Sequence, residues 1–239
     1  TRFKSFNPEA QSVLYIWDSL RNRKNLRGKF SYFDRIITFD PADAKKYNLH
    51  FRPLFFVNNF KRSDTPAPQA PDYQLVFVGT MHSDRLKVIQ SITKHVPSHV
   101  KTFLYLYIQA PWVYWLYKIA KEEYRNTKRS DFSFNPINQD LLYEIYSRSS
   151  IILDIEHPNQ QGLTMRALES IGAGKKLITT NKSIQHYDFY NTNNIAIINR
   201  DVSDHPIDPR FWDCTYQEPD ESVYEKYTLR GWLKEVLSS

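Results

Sequence analysis

IILDIEHPNQQGLTMRALESIGAGKKLITTN, residues 151–181, is the stretch from which the fold can be read. It opens on a continuous apolar run, the pattern of a strand covered on both faces. The carboxyl end of that strand points at a polar loop, Asn159-Gln160-Gln161-Gly162, which leads into GLTMRALESIGAG, a segment of helical period that stops at a glycine. KLITT is another apolar strand. Strand, helix and strand in this order predict parallel strands joined by a crossover helix.

The same rhythm extends in both directions. Upstream lie the strand YQLVFVGT, the helix SDRLKVIQSITKHV opened by Ser83 or Asp84, the strand KTFLYLYIQ and the amphipathic helix NQDLLYEIYSRS. PWVYWLYKIAKEEYRNTK is helical in period and sets Trp112, Trp115, Leu116 and Ile119 on one stripe. Such a stripe ordinarily reads as core, although its basic tail and aromatics also suit a membrane surface. Downstream, NIAIINR is a last strand and DESVYEKYTLRGWLKEVLSS an amphipathic helix. These elements define a domain at 73–218 and a C-terminal helix at 219–239.

KRSDTPAPQAPD, residues 61–72, is Pro-rich, polar and aperiodic, the composition of a linker between domains. Before it, residues 1–60 hold the strands SVLYIWDS, DRIITFD and HFRPLFF, with DPADAKKYN as a short helix opened by an Asp cap and a Pro in its first turn. Three strands make a fragment of a sheet and no methionine opens the chain, so this first lobe is expected to be incomplete. The fold class expected is α/β, with two Rossmann-like lobes.

The 239 residues, 41% hydrophobic and 24% charged, fit an ordinary globular protein. No apolar run approaches the roughly 20 residues of a membrane span. The opening TRFKSFNPEA lacks the plan of a signal peptide, so a cytoplasmic protein is expected. One cysteine, Cys214, excludes an intramolecular disulfide framework and a cysteine zinc cluster. A net charge of +6 favours anionic partners: phosphorylated small molecules, lipid headgroups or nucleic acid. Lysines and arginines are scattered, and no helix-turn-helix, ribonucleoprotein motif or zinc spacing appears, so no nucleic acid is expected. A dinucleotide enzyme would need a G-x-G-x-x-G turn, which this chain lacks.

Ligands of doubly wound sheets bind outside the carboxyl ends of the strands, near helix N-termini. Two places meet that description. In Phe77 to Arg85 a strand turns at Gly79-Thr80 into a helix start bearing Arg85, where glycine permits close approach of a diphosphate. In the second, Arg166 and Glu169 stand three apart on one helix face, where they can grip the phosphates and ribose of a nucleotide or form an ordinary ion pair.

On Gly162, Leu163, Leu168, Glu169 and the run Ala173 to Thr180, preceded by the Leu142 to Asp154 helix and strand, the sequence resembles the GT-B glycosyltransferases of the group-one type that build bacterial lipopolysaccharide and capsule. That family carries a Glu, seven residues, Glu pattern. Glu169 matches its second position, which by resemblance holds the donor ribose. Gln161 replaces the first, which the family uses near the transferred sugar.

FVGTMHSDR sits where the family opens its donor domain. YIWDS and FDRIITFDPADAKKYN are similar to late strands of its acceptor domain. The resemblance implies displacement at an anomeric carbon, with a nucleotide-sugar as donor substrate, no cofactor, and a glycan or lipid-linked glycan as acceptor. Peripheral contact with an anionic membrane is a separate expectation, from the net charge and the aromatic stripe with its basic tail.

No Asp-x-Asp pair follows a strand, and Asp201-Val202-Ser203-Asp204 has the wrong spacing, so no metal is expected. The donor residues implied are Gly79, Thr80, Arg85, Gln161, Gly162, Leu163, Thr164, Arg166, Glu169 and Lys175. Asp18, Asp40 and His82 are the candidates for a catalytic base. Alanine at Arg166 or Glu169 is expected to abolish nucleotide binding without unfolding the chain. Gln161 leaves a second reading open, a non-catalytic sugar-nucleotide-binding protein of the same shape. A basic nucleic-acid-binding module is the remaining rival.

Overall fold

Residues 5–62, 71–200 and 207–238 are described by the computed structural model. Most of the linker at 61–72 and all of Asp201-Val202-Ser203-Asp204 therefore lie outside the described residues.

The larger sheet has five parallel strands: β4 (Tyr73–Thr80), β5 (Thr102–Tyr107), β6 (Ser149–Asp154), β7 (Lys176–Thr179) and β8 (Ile195–Ile197), in the order β5-β4-β6-β7-β8. Its apolar runs follow from burial on both faces. Along β4, Leu75 and Phe77 enter the core of one face and Val76 and Val78 the core of the other; Ile151 and Ile152 of β6 divide in the same way. Each such side chain removed from water contributes about 1.5–3 kcal/mol.

The smaller sheet has three parallel strands, β1 (Val13–Ile16), β2 (Arg35–Thr38) and β3 (His50–Phe51), in sequence order. Between β2 and β3, helix α1 (Pro41–Tyr47) starts as predicted, capped by Asp40, and Asn48 leaves it in the left-handed region. β3 is shorter than HFRPLFF suggested. Pro53 has no N–H to donate, and the chain pairs again only at Phe56, in a bridge to Thr228.

Helix α2 (Arg85–Thr93) follows β4, and α3 (Pro111–Ala120) follows β5. Helix α4 (Gln139–Ser147) leads into β6 and α5 (Met165–Gly172) leads out of it. Two expectations are corrected. The α3 stripe is not core: Trp112, Trp115, Leu116 and Ile119 are 65%, 54%, 53% and 80% exposed, and the helix is anchored instead by buried Tyr114. The C-terminal segment is not one helix. After α6 (Pro209–Asp213) come α7 (Glu221–Lys226) and α8 (Leu229–Leu237), parted at Thr228, whose hydroxyl caps α8 by accepting from Gly231 N–H.

α8 returns to the first lobe. Trp232 packs against Tyr15 and Phe55, each with ring centroids 4.7 Å away, and Arg35 donates to the carbonyl of Glu235. Among the described residues no helix is long and apolar enough to cross a membrane.

Candidate functional site

The strand order fixes where a ligand crevice can form. After β4 the chain moves to one side for β5 and then to the other for β6, so the sheet changes direction between the carboxyl ends of β4 and β6. Most of the predicted donor residues converge there.

Asp154, the last residue of β6, is fully buried. Its Oδ1 accepts from Thr164 Oγ1 at 2.9 Å and Arg166 Nη1 at 2.8 Å. The rest of the Arg166 guanidinium donates to the carbonyl of Val78 in β4, from Nη2 at 2.7 Å and Nε at 3.1 Å. A Cβ at Gly79 would lie 2.7 Å from Arg166 Nη2, so glycine at 79 makes room for the arginine. Burial opposes the charge on Arg166, but Asp154, Tyr146 and Glu169 together outweigh it and raise the pKa.

Arg85 ties the same two strands. It is buried, donating from Nε to Ile155 O at 2.7 Å and from Nη1 to Thr80 O at 2.9 Å. Burial first, and then the charge of Arg166, push it down to about 10. Both arginines expected to grip phosphate thus have guanidinium bonds to main-chain oxygens of the crevice wall. A third, Arg200, escaped the sequence reading: it pairs with Asp84 at 2.5 Å and with the Glu156 carboxylate at 3.0 Å. Nothing in its local sequence marks it, because its partners lie far away in the chain.

Two imidazoles face each other at the mouth. His82 follows β4, His157 follows β6, and their ring centroids are 5.6 Å apart. Burial, then the positive charges of Arg85 and its neighbours, push His82 down to about 4, so it is neutral at pH 7. His157 Nδ1 accepts a hydrogen bond from the Asn159 main-chain N–H at 3.2 Å. Next to His82, Ser83 holds a left-handed φ of 51°, a strained conformation for a residue with a side chain.

Glu169 lies one turn along α5 from Arg166. Its carboxylate has no hydrogen-bond partner among the described residues. Burial raises its pKa to about 7, against the pull of Arg166 and with a further push from Asp154. A carboxyl group with a displaced pKa and no hydrogen-bond partner among the described residues is a candidate functional group.

The remaining predicted residues divide. Thr164 caps α5, with Oγ1 accepting from Ala167 N–H at 3.1 Å, and Leu163 is core. Lys175 is at the other end of the molecule. It precedes β7, and its amine donates to Ser147 O at 2.9 Å beside the start of β6, so it borders the amino edge of the sheet, away from the crevice.

Gln161 and Gly162 meet the first lobe. Asp40 Oδ2 accepts from their main-chain nitrogens at 3.1 and 3.3 Å, and a Cβ at Gly162 would fall 2.5 Å from the Phe39 ring. Asp40 Oδ1 caps α1 by accepting from Ala42 N–H at 2.9 Å. Asp40 is buried with both oxygens engaged, the geometry of a clamp and a cap. Asp18 accepts from Asn22 and Arg23, each at 3.0 Å, in the loop after β1. Along this seam runs a groove of about 780 Å³ lined by Lys45, Lys46, Phe51, Gln161, His186 and Tyr187, so Gln161 borders the interlobe space. Among the described residues no group of three or more His, Cys, Asp or Glu is placed to hold a metal ion.

No protein-family model matches the chain, and no curated protein sequence matches it. Solved structures are similar to it. The Anabaena protein HepE, solved in complex with UDP and glucose, matches with a TM-score of 0.64 at 12% identity, over 97% of this chain and 72% of that one. A glycosyltransferase from Rickettsia africae matches at 0.53 with 13% identity, over 95% of this chain and 69% of that one. Sucrose-phosphate synthase from Thermosynechococcus elongatus matches at 0.52 with 14% identity, over 85% and 56%. These neighbours are GT-B glycosyltransferases. With two α/β lobes, parallel sheets and a three-stranded first lobe, this chain has the GT-B fold.

Proposed function

We propose that the protein transfers a sugar from a nucleotide-sugar donor to a growing surface glycan, such as lipopolysaccharide, capsule or exopolysaccharide, at the cytoplasmic face of a bacterial membrane. The observation that carries this reading is Glu169: a carboxylate with no hydrogen-bond partner among the described residues, next to the buried Arg166–Asp154 pair, at the position that the resemblance gives to the donor ribose.

The donor's diphosphate lies between the Gly79 turn and the start of α5. In the transfer the acceptor hydroxyl oxygen bonds to the anomeric carbon, and the bond from that carbon to the diphosphate oxygen breaks. The electron pair leaves with the nucleoside diphosphate and the hydroxyl proton passes to a base. Arginine charge and main-chain amides meet the leaving charge, and the reaction runs without a metal ion. His82 and His157 hydrogen-bond the phosphate or the transferred sugar. With its conjugate acid near pKa 4, His82 is a weak general base at neutral pH.

Nucleotide release from UDP-, GDP-, ADP- and CMP-sugars, followed with and without glycan acceptors and with a chelator present, tests the proposal. One donor should turn over and the chelator should leave the rate unchanged. Release from none of the four, with nucleotide binding intact, would move the protein to the non-catalytic reading.

A further inference from the structure

Helix α3 presents an anomaly that the donor site does not use. Trp112, Trp115, Leu116 and Ile119 follow the i, i+3, i+4, i+7 spacing of one face, and every one of them is more than half exposed. Tyr114 of the same helix is buried and donates to Thr127 O, so the helix is seated and its apolar stripe points outward. A stripe of this size on a well-seated helix marks an interaction surface.

Charge identifies the occupant. From Arg85 to Lys121 the chain has no Asp or Glu, while Arg85, Lys87, Lys94, Lys101, Lys118 and Lys121 are basic. This stretch accounts for the whole net charge of +6, since the remaining basic and acidic residues are equal in number. It spans α2, β5 and α3, and both helices pack into the core of the same face of the sheet. Lys87, Lys94 and Lys101 are exposed, as are Arg125, Lys128 and Arg129 after the helix; Glu122 and Asp131 are the exposed acids there. Tryptophans on an apolar stripe in a segment of net positive charge match the boundary between lipid headgroups and acyl chains.

The stripe also adjoins the crevice. The segment bearing α3 leaves the sheet at the carboxyl end of β5 and returns beside it, where Ser133 N–H donates to Leu106 O and Ile108 N–H to Ser133 O, both at 2.9 Å. Lys121, at the end of α3, donates to Ser83 O at 2.6 Å, in the turn next to His82.

The geometry points to docking of α3 on an anionic lipid bilayer, with Trp112, Trp115, Leu116 and Ile119 inserted below the headgroups. The docking does not depend on the proposed transfer; only its use, presenting a lipid-linked acceptor at the crevice mouth, rests on that reading.

The test is co-sedimentation of the full chain with vesicles of phosphatidylcholine alone and of phosphatidylcholine and phosphatidylglycerol in equal parts, with tryptophan emission recorded. Binding to the anionic vesicles, a blue shift, and loss of binding at high salt are expected. Ile119→Asp combined with Trp112→Ser should reduce partitioning by about tenfold or more while leaving the circular dichroism spectrum and nucleotide binding unchanged. The single variant Ile119→Asp, at a site 80% exposed, guards against a fold defect. Equal partitioning of the variants and the parent chain would overturn the inference. So would a concentration-dependent dimer that Ile119→Asp disperses while vesicle binding is absent, because the stripe would then belong to a second copy.

Discussion

Asp40 Oδ2 lies 3.1 Å from the main-chain nitrogen of Gln161, so a residue that caps a helix in the first lobe also fixes the loop between β6 and α5 of the second. Asp40→Ala removes both functions. A loss of about 1–3 kcal/mol in denaturant unfolding is expected from the missing cap and the uncovered N–H groups. Asp40→Asn, which keeps acceptor oxygen, should lose less. Equal stability of Asp40→Ala and the parent chain would show that the seam is not fixed by this carboxylate.

The Arg166–Asp154 pair revises one expectation about mutants. Asp154 is fully buried and Arg166 nearly so, so Arg166→Ala leaves an uncompensated buried carboxylate. It should destabilise the fold by about 3–5 kcal/mol in chemical denaturation, as well as weakening nucleotide binding. Gly79→Ala pushes a methyl group against the same guanidinium and should cost about 1–3 kcal/mol. A fully stable Arg166→Ala chain would contradict this account of the crevice wall.

Stability should depend on pH through Glu169. Its pKa rises from 4.5 to about 7 on folding, so between these values the native state holds a proton that the unfolded state has lost. Stability conferred by this group therefore falls as pH rises from about 4.5 to 7 and levels off above that, with a total on the order of 3 kcal/mol. Glu169→Gln should be more stable than the parent chain at about pH 8 and should lose this component of the pH dependence. Unfolding curves at a series of pH values decide it; parallel profiles for the two chains would place Glu169 in contact with water or a partner.

His82 gives a slope of opposite sign. Its pKa falls from 6.5 to about 4 on folding, so its contribution to stability is full above the unfolded value and is lost as pH falls through 6.5 toward 4. Imidazole resonances followed by NMR should show one histidine that stays neutral at about pH 5 and disappears in His82→Gln. A His82 signal titrating near 6.5 would mean that the crevice is more open to water than the geometry describes.

Much of the fold is legible in the sequence because the chemistry is local. Asp40 and Pro41 write the start of α1, and the alternation of apolar strands with capped helices gives the parallel sheet. The α3 stripe misleads because periodicity reports which residues share a face and says nothing of whether that face is covered. Lys175 misleads because a basic residue after a glycine turn looks the same at either end of a sheet; only strand direction separates them. Arg200 is invisible for a different reason: its partners, Asp84, Glu156 and Thr180, are brought to it by the fold.

On the proposed function, the crevice between β4 and β6 binds the nucleotide of a sugar donor and Glu169 holds its ribose. A thermal-shift panel of UDP, GDP, ADP and CMP on the parent chain and on Glu169→Gln tests it most directly, since a ligand that binds only the native state raises the melting temperature by mass action. One nucleotide should raise the melting temperature of the parent chain, and the same nucleotide should leave Glu169→Gln unshifted although that variant is folded. An equal shift in both chains, or none with any nucleotide, would contradict the assignment.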